Sequence, residues 1–320
     1  MDQRDTQTAA MHAAPDPLSK ATRRRITFRV DGEEVVGHLY TPSDFDPARS
    51  YPAVVTAGSL TSTKEMMGGR YAGELADRGL VALAIDYRHY GESGGKPRQY
   101  EDPIAKREDL KGAVTYLLEQ DYVSGVGALG VCTSGGTVAY LGADDDRVGA
   151  IASIAAWIPN PEVLPVLYGG EDGVAQLRQA GKEARAKYER SGENDLIPAY
   201  SDTDQTASHV GPMQYYMDKQ RGGGIKGYRN ALAVQSWNNW LDFAPLPLAG
   251  EITVPYLMIE SDDCALPDNA RAYFRALGSS DKQLLWRDTG AHFDFYDQDP
   301  QVRESADAVA EFFKSRLAPA

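Results

Sequence analysis

The chain has 320 residues, 42% of them apolar, with 46 acidic against 33 basic side chains and a formal net charge of −13. That apolar content is enough for one large core or a core with an inserted lobe. No apolar stretch approaches the ~18 residues a membrane span requires, and the acidic balance, with no basic face, argues against a nucleic-acid partner.

Residues 1–20 are polar, lack an apolar signal core, and are expected to form a disordered tail on a cytoplasmic protein. The one basic cluster, Arg23-Arg24-Arg25, leads into the first strand. Segments 26–30 and 35–40 flank Asp31-Gly32-Glu33-Glu34, a hairpin signal. A short buried strand is expected over 53–57, a helix over 64–78 closed by Gly79, and a strand over 81–86. Leu110, Val114, Leu117 and Leu118 mark the apolar face of a helix over 107–120. Then come a strand over 126–131, a helix over 137–141 and a strand over 148–156. Strands over 256–261 and 282–287 alternate with helices over 268–277 and 301–317.

Alternating strands and helices imply an α/β domain whose mostly parallel, eight-stranded sheet is covered on both faces, with the opening hairpin antiparallel at one edge. Between Trp157 and Leu248 the alternation stops, and the segment is helix-like and rich in aromatics. The division expected is a core over 21–156 and 245–320 with a helical cap over 157–244.

Leu129-Gly130-Val131-Cys132-Thr133-Ser134-Gly135-Gly136 joins a strand to a helix. A strand turning sharply into a helix exposes one side chain at the corner and needs small neighbours two residues to either side. Gly130 and Ser134 meet that demand, which puts the Cys132 thiol at the corner. Ser134 as nucleophile would move the corner two residues past the strand. In an open α/β sheet, reactive groups gather at the carboxyl ends of the strands. Those ends supply Asp262 and Asp263 after the 256–261 strand and His292 after the last strand. The order is nucleophile, acid, base. His292 is expected to take the thiol proton, and Asp263, with Asp262 as the alternative, to hold the imidazole. The oxyanion donors expected are the N–H groups of Thr133 and Leu60. Trp157, Tyr215, Tyr216, Trp237 and Trp240 are the candidate substrate contacts from the cap.

Two cysteines, Cys132 and Cys264, do not make a disulfide framework. The five histidines show no metal-ligand spacing, so neither a metal nor another cofactor is expected.

Four segments carry a resemblance to the α/β-hydrolases, specifically a bacterial branch related to dienelactone hydrolase. They are Lys64-Glu65, the Asp86 to Arg98 loop, the Cys132 corner, and Gly290-Ala291-His292-Phe293-Asp294-Phe295-Tyr296-Asp297. The resemblance spans roughly residues 25–315. It implies the α/β-hydrolase fold and a scaffolding role for the 86–98 loop. Two features depart from the pattern. Gly58-Ser59 stands where many relatives have His-Gly or His-Pro, and no residue matches the glutamate that contacts the resting thiol in dienelactone hydrolase. A standing Cys132–His292 pair is therefore expected to ionise the thiol. The activity expected is hydrolysis of a carboxylic ester, lactone or thioester, on a small-molecule acyl substrate that the aromatic cap suggests is larger than the family's small acidic one and partly aromatic or apolar, such as a polyketide-like ester or lactone. The alternatives are an acyltransferase, cyclase or carbon–carbon bond enzyme using the same triad, and a hydrolase-shaped binding protein without turnover.

Overall fold

The computed structural model describes residues 19–317. The expected tail over 1–20 lies outside them, except for Ser19 and Lys20. Strands β1 (Thr22–Val30) and β2 (Glu33–Thr41) pair antiparallel across Asp31-Gly32. Both turn residues have positive φ, 50° and 83°, the conformation a two-residue hairpin requires. Strands β3 (Tyr51–Ala57), β4 (Val81–Ile85), β5 (Val123–Val131) and β6 (Val148–Ile154) follow, with helices α1 (Met67–Asp77), α2 (Pro103–Leu118) and α3 (Thr133–Asp144) between them.

Helix α1 begins three residues later than its sequence pattern suggests, because Lys64 is held elsewhere. Its backbone N–H donates to Asp86 at 2.7 Å, and its buried ammonium bonds Asp86, Glu65 and Glu92 at 2.7–2.8 Å. Lys64 thus ties the 58–66 loop to the end of β4. His38, Glu65 and Glu92 bring one potential ligand atom each within 4.8 Å of one another. The Lys64 ammonium, bonded to both glutamates, already serves as the cation there.

After β6 come α4 (Leu164–Leu167) and the 22-residue α5 (Gly170–Ser191). Short strands β7 (Leu196–Ile197), β8 (Tyr200–Ser201), β9 (His209–Val210) and β10 (Leu232–Ala233) form two small pairs, β7 with β10 and β8 with β9. Helices α6 (Gln214–Met217) and α7 (Trp237–Leu241) complete this insertion. The chain then returns to the sheet through β11 (Tyr256–Ser261), α8 (Pro267–Ala276), β12 (Lys282–Arg287), α9 (Asp294–Asp297) and α10 (Gln301–Leu317).

The large sheet has eight strands in the order β1-β2-β4-β3-β5-β6-β11-β12. Strand β2 is antiparallel to both its neighbours, and β4 through β12 run parallel. Central strands covered on both faces read as continuous apolar runs, and β4 (Val-Ala-Leu-Ala-Ile) is buried at every position. One face packs on Leu75 of α1 and Phe313 of α10 and continues into the insertion. The other packs on Leu110 and Val114 of α2, Val138 of α3 and Tyr273 of α8. No helix of the described residues is long and apolar enough to cross a membrane.

Candidate active site

Cys132 sits between β5 and α3 with φ 58° and ψ −122°. A non-glycine residue at positive φ is strained by about 1–3 kcal/mol and is held there by its surroundings. Here the hold is tight. The Cys132 N–H donates to the Ile154 carbonyl at 3.1 Å, and its own carbonyl accepts from Gly135 and Trp157, both at 2.8 Å. A Cβ added at Gly130 would lie 2.1 Å from the Ser134 carbonyl oxygen, so the small residue before the corner is a backbone-clearance requirement. Ser134 is fully buried and donates its hydroxyl to the Gly58 carbonyl, while sharing a 2.9 Å bond with the Tyr87 hydroxyl. That bond ties the corner to the 58–61 loop and removes Ser134 as a nucleophile.

The thiol faces a cavity of about 100 Å³ that also receives Leu60, Thr133 and His292. Thr133 directs its backbone N–H at the sulfur. The Leu60 N–H has no acceptor among the described residues. Two rings of the insertion bond to either side of it, one at the Leu60 carbonyl and one at the Ser59 side chain. The Tyr200 hydroxyl donates to the Leu60 carbonyl at 2.9 Å, and the Tyr216 hydroxyl donates to Ser59 Oγ at 2.5 Å. The two rings stack on each other, 3.7 Å apart and 5° from parallel.

His292 and Cys132 share the cavity without a direct hydrogen bond. The Tyr296 hydroxyl stands between them: it is 3.0 Å from His292 Nε2 and is the side chain whose hydrogen bond favours the ionised sulfur. The standing Cys132–His292 pair expected from the sequence is therefore replaced by a three-member chain. The other imidazole nitrogen, Nδ1, accepts from the Ala265 backbone N–H at 3.2 Å. A donor at Nδ1 puts the resting proton on Nε2, pointed at the Tyr296 oxygen. Among the described residues no carboxylate hydrogen-bonds the imidazole. Asp263 is exposed at its side chain and meets His292 only through its backbone carbonyl, which accepts the His292 N–H at 3.2 Å. Asp262 is exposed and ion-paired to Arg271.

Burial sets the resting charges. It pushes the Cys132 thiol up to about 12, against the opposing pull of Tyr296 and the Thr133 N–H. It pushes His292 down to about 4. Both groups are neutral at rest near neutral pH. The kcat/KM of an uncharged ester should then stay level from about pH 5.5 to 9 and fall only on an acid limb near the lowered His292 value, as protonation removes the base. A limb at the ordinary histidine value of about 6.5 would show that burial does not control this group.

Of the five aromatic contacts expected from sequence, Trp157 and Tyr216 line the cavity. Trp240 stacks behind Trp157 at 6.3 Å, Trp237 packs edge-on against Tyr168, and Tyr215 packs edge-on against Tyr216 and Tyr296. These three form the layer behind the wall. The wall residues that sequence reasoning missed are Tyr200, His209, Met213, Phe293 and Tyr296. Tyr296 carried a signal, since it lies four residues after His292 at the helical spacing that places two side chains on one face. Buried Glu260, at the end of β11, accepts the Ala156 N–H and is pushed up to about 8 by burial; it does not line the cavity.

The sheet order, the strained corner and the histidine after the last strand together define an α/β-hydrolase. No protein-family model matches the chain. It belongs to the same family as protein PA2218 of Pseudomonas aeruginosa, to which it is 30% identical over 94% of this chain and 83% of that protein. The crystal structure of PA2218 superposes with a TM-score of 0.82 over 98% of this chain and 100% of that one. The thiohydrolase aneE of Aspergillus aculeatus is 26% identical over 82% of this chain and 84% of its own length. Dienelactone hydrolase of Anabaena variabilis shares the fold at a TM-score of 0.54 and 16% identity, covering 93% of this chain and 99% of that one.

Proposed function

We propose that this protein is an acyl hydrolase that cleaves a carboxylic ester, lactone or thioester through a thioester acyl-enzyme on Cys132. The observation that carries the reading is the corner thiol opening into one cavity with His292, the Leu60 N–H, which has no acceptor among the described residues, and the Thr133 N–H, which points at the sulfur. Names among the relatives support the same class: two are thiohydrolases and one, drtE, is an acyltransferase.

In this reading the 262–265 turn first shifts, so that the imidazole proton sits on Nδ1 and Nε2 is free, and the thiol proton then passes to Tyr296 Oη as the Tyr296 proton passes to His292 Nε2. The thiolate then attacks the substrate carbonyl, and the Leu60 and Thr133 N–H groups stabilise the oxyanion. The leaving oxygen or sulfur departs with the proton returned from the imidazolium. Water, deprotonated by His292, cleaves the thioester, releasing the acid and restoring the thiol. A charged imidazole needs an acceptor at Nδ1, where the resting site offers the Ala265 N–H. We assign that acceptor to the Asp263 carboxylate, which reaches Nδ1 when the 262–265 turn shifts.

The test is capture of the intermediate. Brief exposure to p-nitrophenyl acetate should add one acetyl mass, located by peptide mass spectrometry on Cys132 and absent from Cys132→Ala. Acetylation elsewhere, or release of nitrophenol without any Cys132 adduct, rejects the nucleophile assignment. Transfer of the acetyl group to an added alcohol or amine in preference to water would select the acyltransferase reading, which uses the same acyl-enzyme.

A further inference from the structure

Among the described residues, the wall of the catalytic cavity carries no aspartate, glutamate, lysine or arginine. It is built of rings, above all Trp157, Tyr200, Tyr216, Phe293 and His209, with Met213 beside them. The phenol groups of Tyr200 and Tyr216 are engaged on the 58–61 loop, so their polar ends are taken up outside the cavity. His209 is held uncharged. Ser208 Oγ lies 3.0 Å from Nδ1 and Tyr168 Oη 3.4 Å from Nε2, while burial keeps the ring deprotonated. Two polar atoms on the wall lack partners, the Trp157 indole N–H and Thr133 Oγ1, and both are neutral. The cavity holds about 100 Å³, and Tyr296 also lines a second cavity of about 280 Å³ whose wall includes Arg23, Glu65, Arg70, Arg221 and Asp297.

We propose that the acyl pocket of this protein selects compact, uncharged acyl groups and rejects acyl groups that carry a carboxylate. This rests on the Cys132 acyl-enzyme reading and narrows its substrate class. A carboxylate entering the cavity would shed its water and find no counter-ion, which is strongly unfavourable in a low-dielectric site. A long chain would meet the Tyr296 ring. The inferred preference is thus opposite to that of an enzyme for small acidic lactones, and it differs from the broad aromatic or polyketide-like compound expected from the sequence in setting a size limit.

Three measurements on the full chain test this. The first compares p-nitrophenyl esters of pentanoate, benzoate, dodecanoate and hemisuccinate. Pentanoate should exceed hemisuccinate, its near-isosteric anion, by at least ~100-fold in kcat/KM, given the penalty for burying an unpaired carboxylate. Dodecanoate should fall at least ~10-fold below pentanoate, as expected where added methylenes overfill a closed site. Ratios within ~3-fold overturn the proposal, being under the ~10-fold that 1.4 kcal/mol of discrimination gives. The second measurement adds Met213→Arg, which places a cation on the wall and should raise hemisuccinate relative to pentanoate by at least ~10-fold.

The third is independent of turnover. Alkylation of Cys132 by iodoacetamide should outrun that by iodoacetate by at least ~30-fold, read by peptide mass spectrometry, for the same reason of an unpaired buried carboxylate. Equal rates overturn the pocket assignment. If no ester is turned over while the alkylation rates diverge, the hydrolase reading fails and the pocket selectivity stands.

Discussion

Cys132→Ala is expected to lower ester turnover by at least ~10⁴-fold while leaving the fold in place, since under the proposed mechanism it removes the nucleophile and leaves only binding and oxyanion stabilisation. The thiol is 6% exposed and its backbone is fixed by bonds from Ile154, Gly135 and Trp157 that alanine retains. Truncation removes one sulfur atom from a site already bordered by a cavity, which should cost about 1 kcal/mol and move Tm by a few degrees at most.

Cys132→Ser is the sharper companion. A hydroxyl holds its proton far more tightly than a thiol, and the base facing it has been pushed down to about 4. Serine should therefore recover little, remaining at least ~10²-fold below the native enzyme, because a weakly basic imidazole cannot activate an ordinary alcohol. Steady-state p-nitrophenyl acetate kinetics with a thermal melt on each variant check both statements. Alanine activity within tenfold of native, in a protein that melts normally, removes Cys132 from the mechanism. A serine variant as fast as native would show that His292 is a stronger base during turnover than its resting burial implies.

The parts legible in the sequence were those where one backbone geometry admits few residues. The Asp31-Gly32 turn needs two positive φ angles, and the 130–134 corner needs clearance on both sides, so both can be read from residue type. Alternation gave the mostly parallel sheet with the antiparallel hairpin at one edge, but not the spatial order β1-β2-β4-β3-β5-β6-β11-β12. The start of α1 was misread because Lys64 and Glu65 are good helix formers whose local preference is outweighed by buried ion pairs reaching 22 and 28 residues downstream. The insertion was harder for a different reason. Its aromatics have no period that separates an inner from an outer layer, so Trp240 and Trp237 look the same in sequence as Trp157 and Tyr200. What distinguishes them is stacking across distant segments, as when Tyr200 lies on Tyr216. The acid was uncertain at the level of one residue, and the structure shows why that level matters. In the tight 262–265 turn the Ala265 backbone N–H occupies the imidazole nitrogen that an acid would hold, while the Asp262 and Asp263 side chains are exposed.

Gly130→Ala is expected to damage both the fold and the site. The added Cβ would lie 2.1 Å from the Ser134 carbonyl oxygen, 2.3 Å from its carbonyl carbon and 2.6 Å from the Gly135 nitrogen. All three are backbone atoms, so no side chain can swing aside. Relief requires moving either the end of β5, which is paired at this residue with Ala57 and Ser153, or the first turn of α3. Overpacking against rigid neighbours of this kind costs about 3 kcal/mol or more, which lowers Tm by roughly 10 °C in a chain of this size. The displacement also carries Cys132 and the Thr133 N–H with it. A shift near 1 Å at reacting groups removes about 10²-fold in rate, so the folded fraction should be impaired as well as the stability. Gly32→Ala is the control. Its Cβ meets nothing within 4 Å, and its only penalty is the positive φ of 83°. It should cost about 1–2 kcal/mol and leave kcat/KM at the native value. Calorimetry with p-nitrophenyl acetate kinetics on the two variants separates the cases. If Gly130→Ala melts no lower than Gly32→Ala and turns over normally, the corner is not the closely packed bend on which the assignment of Cys132 rests.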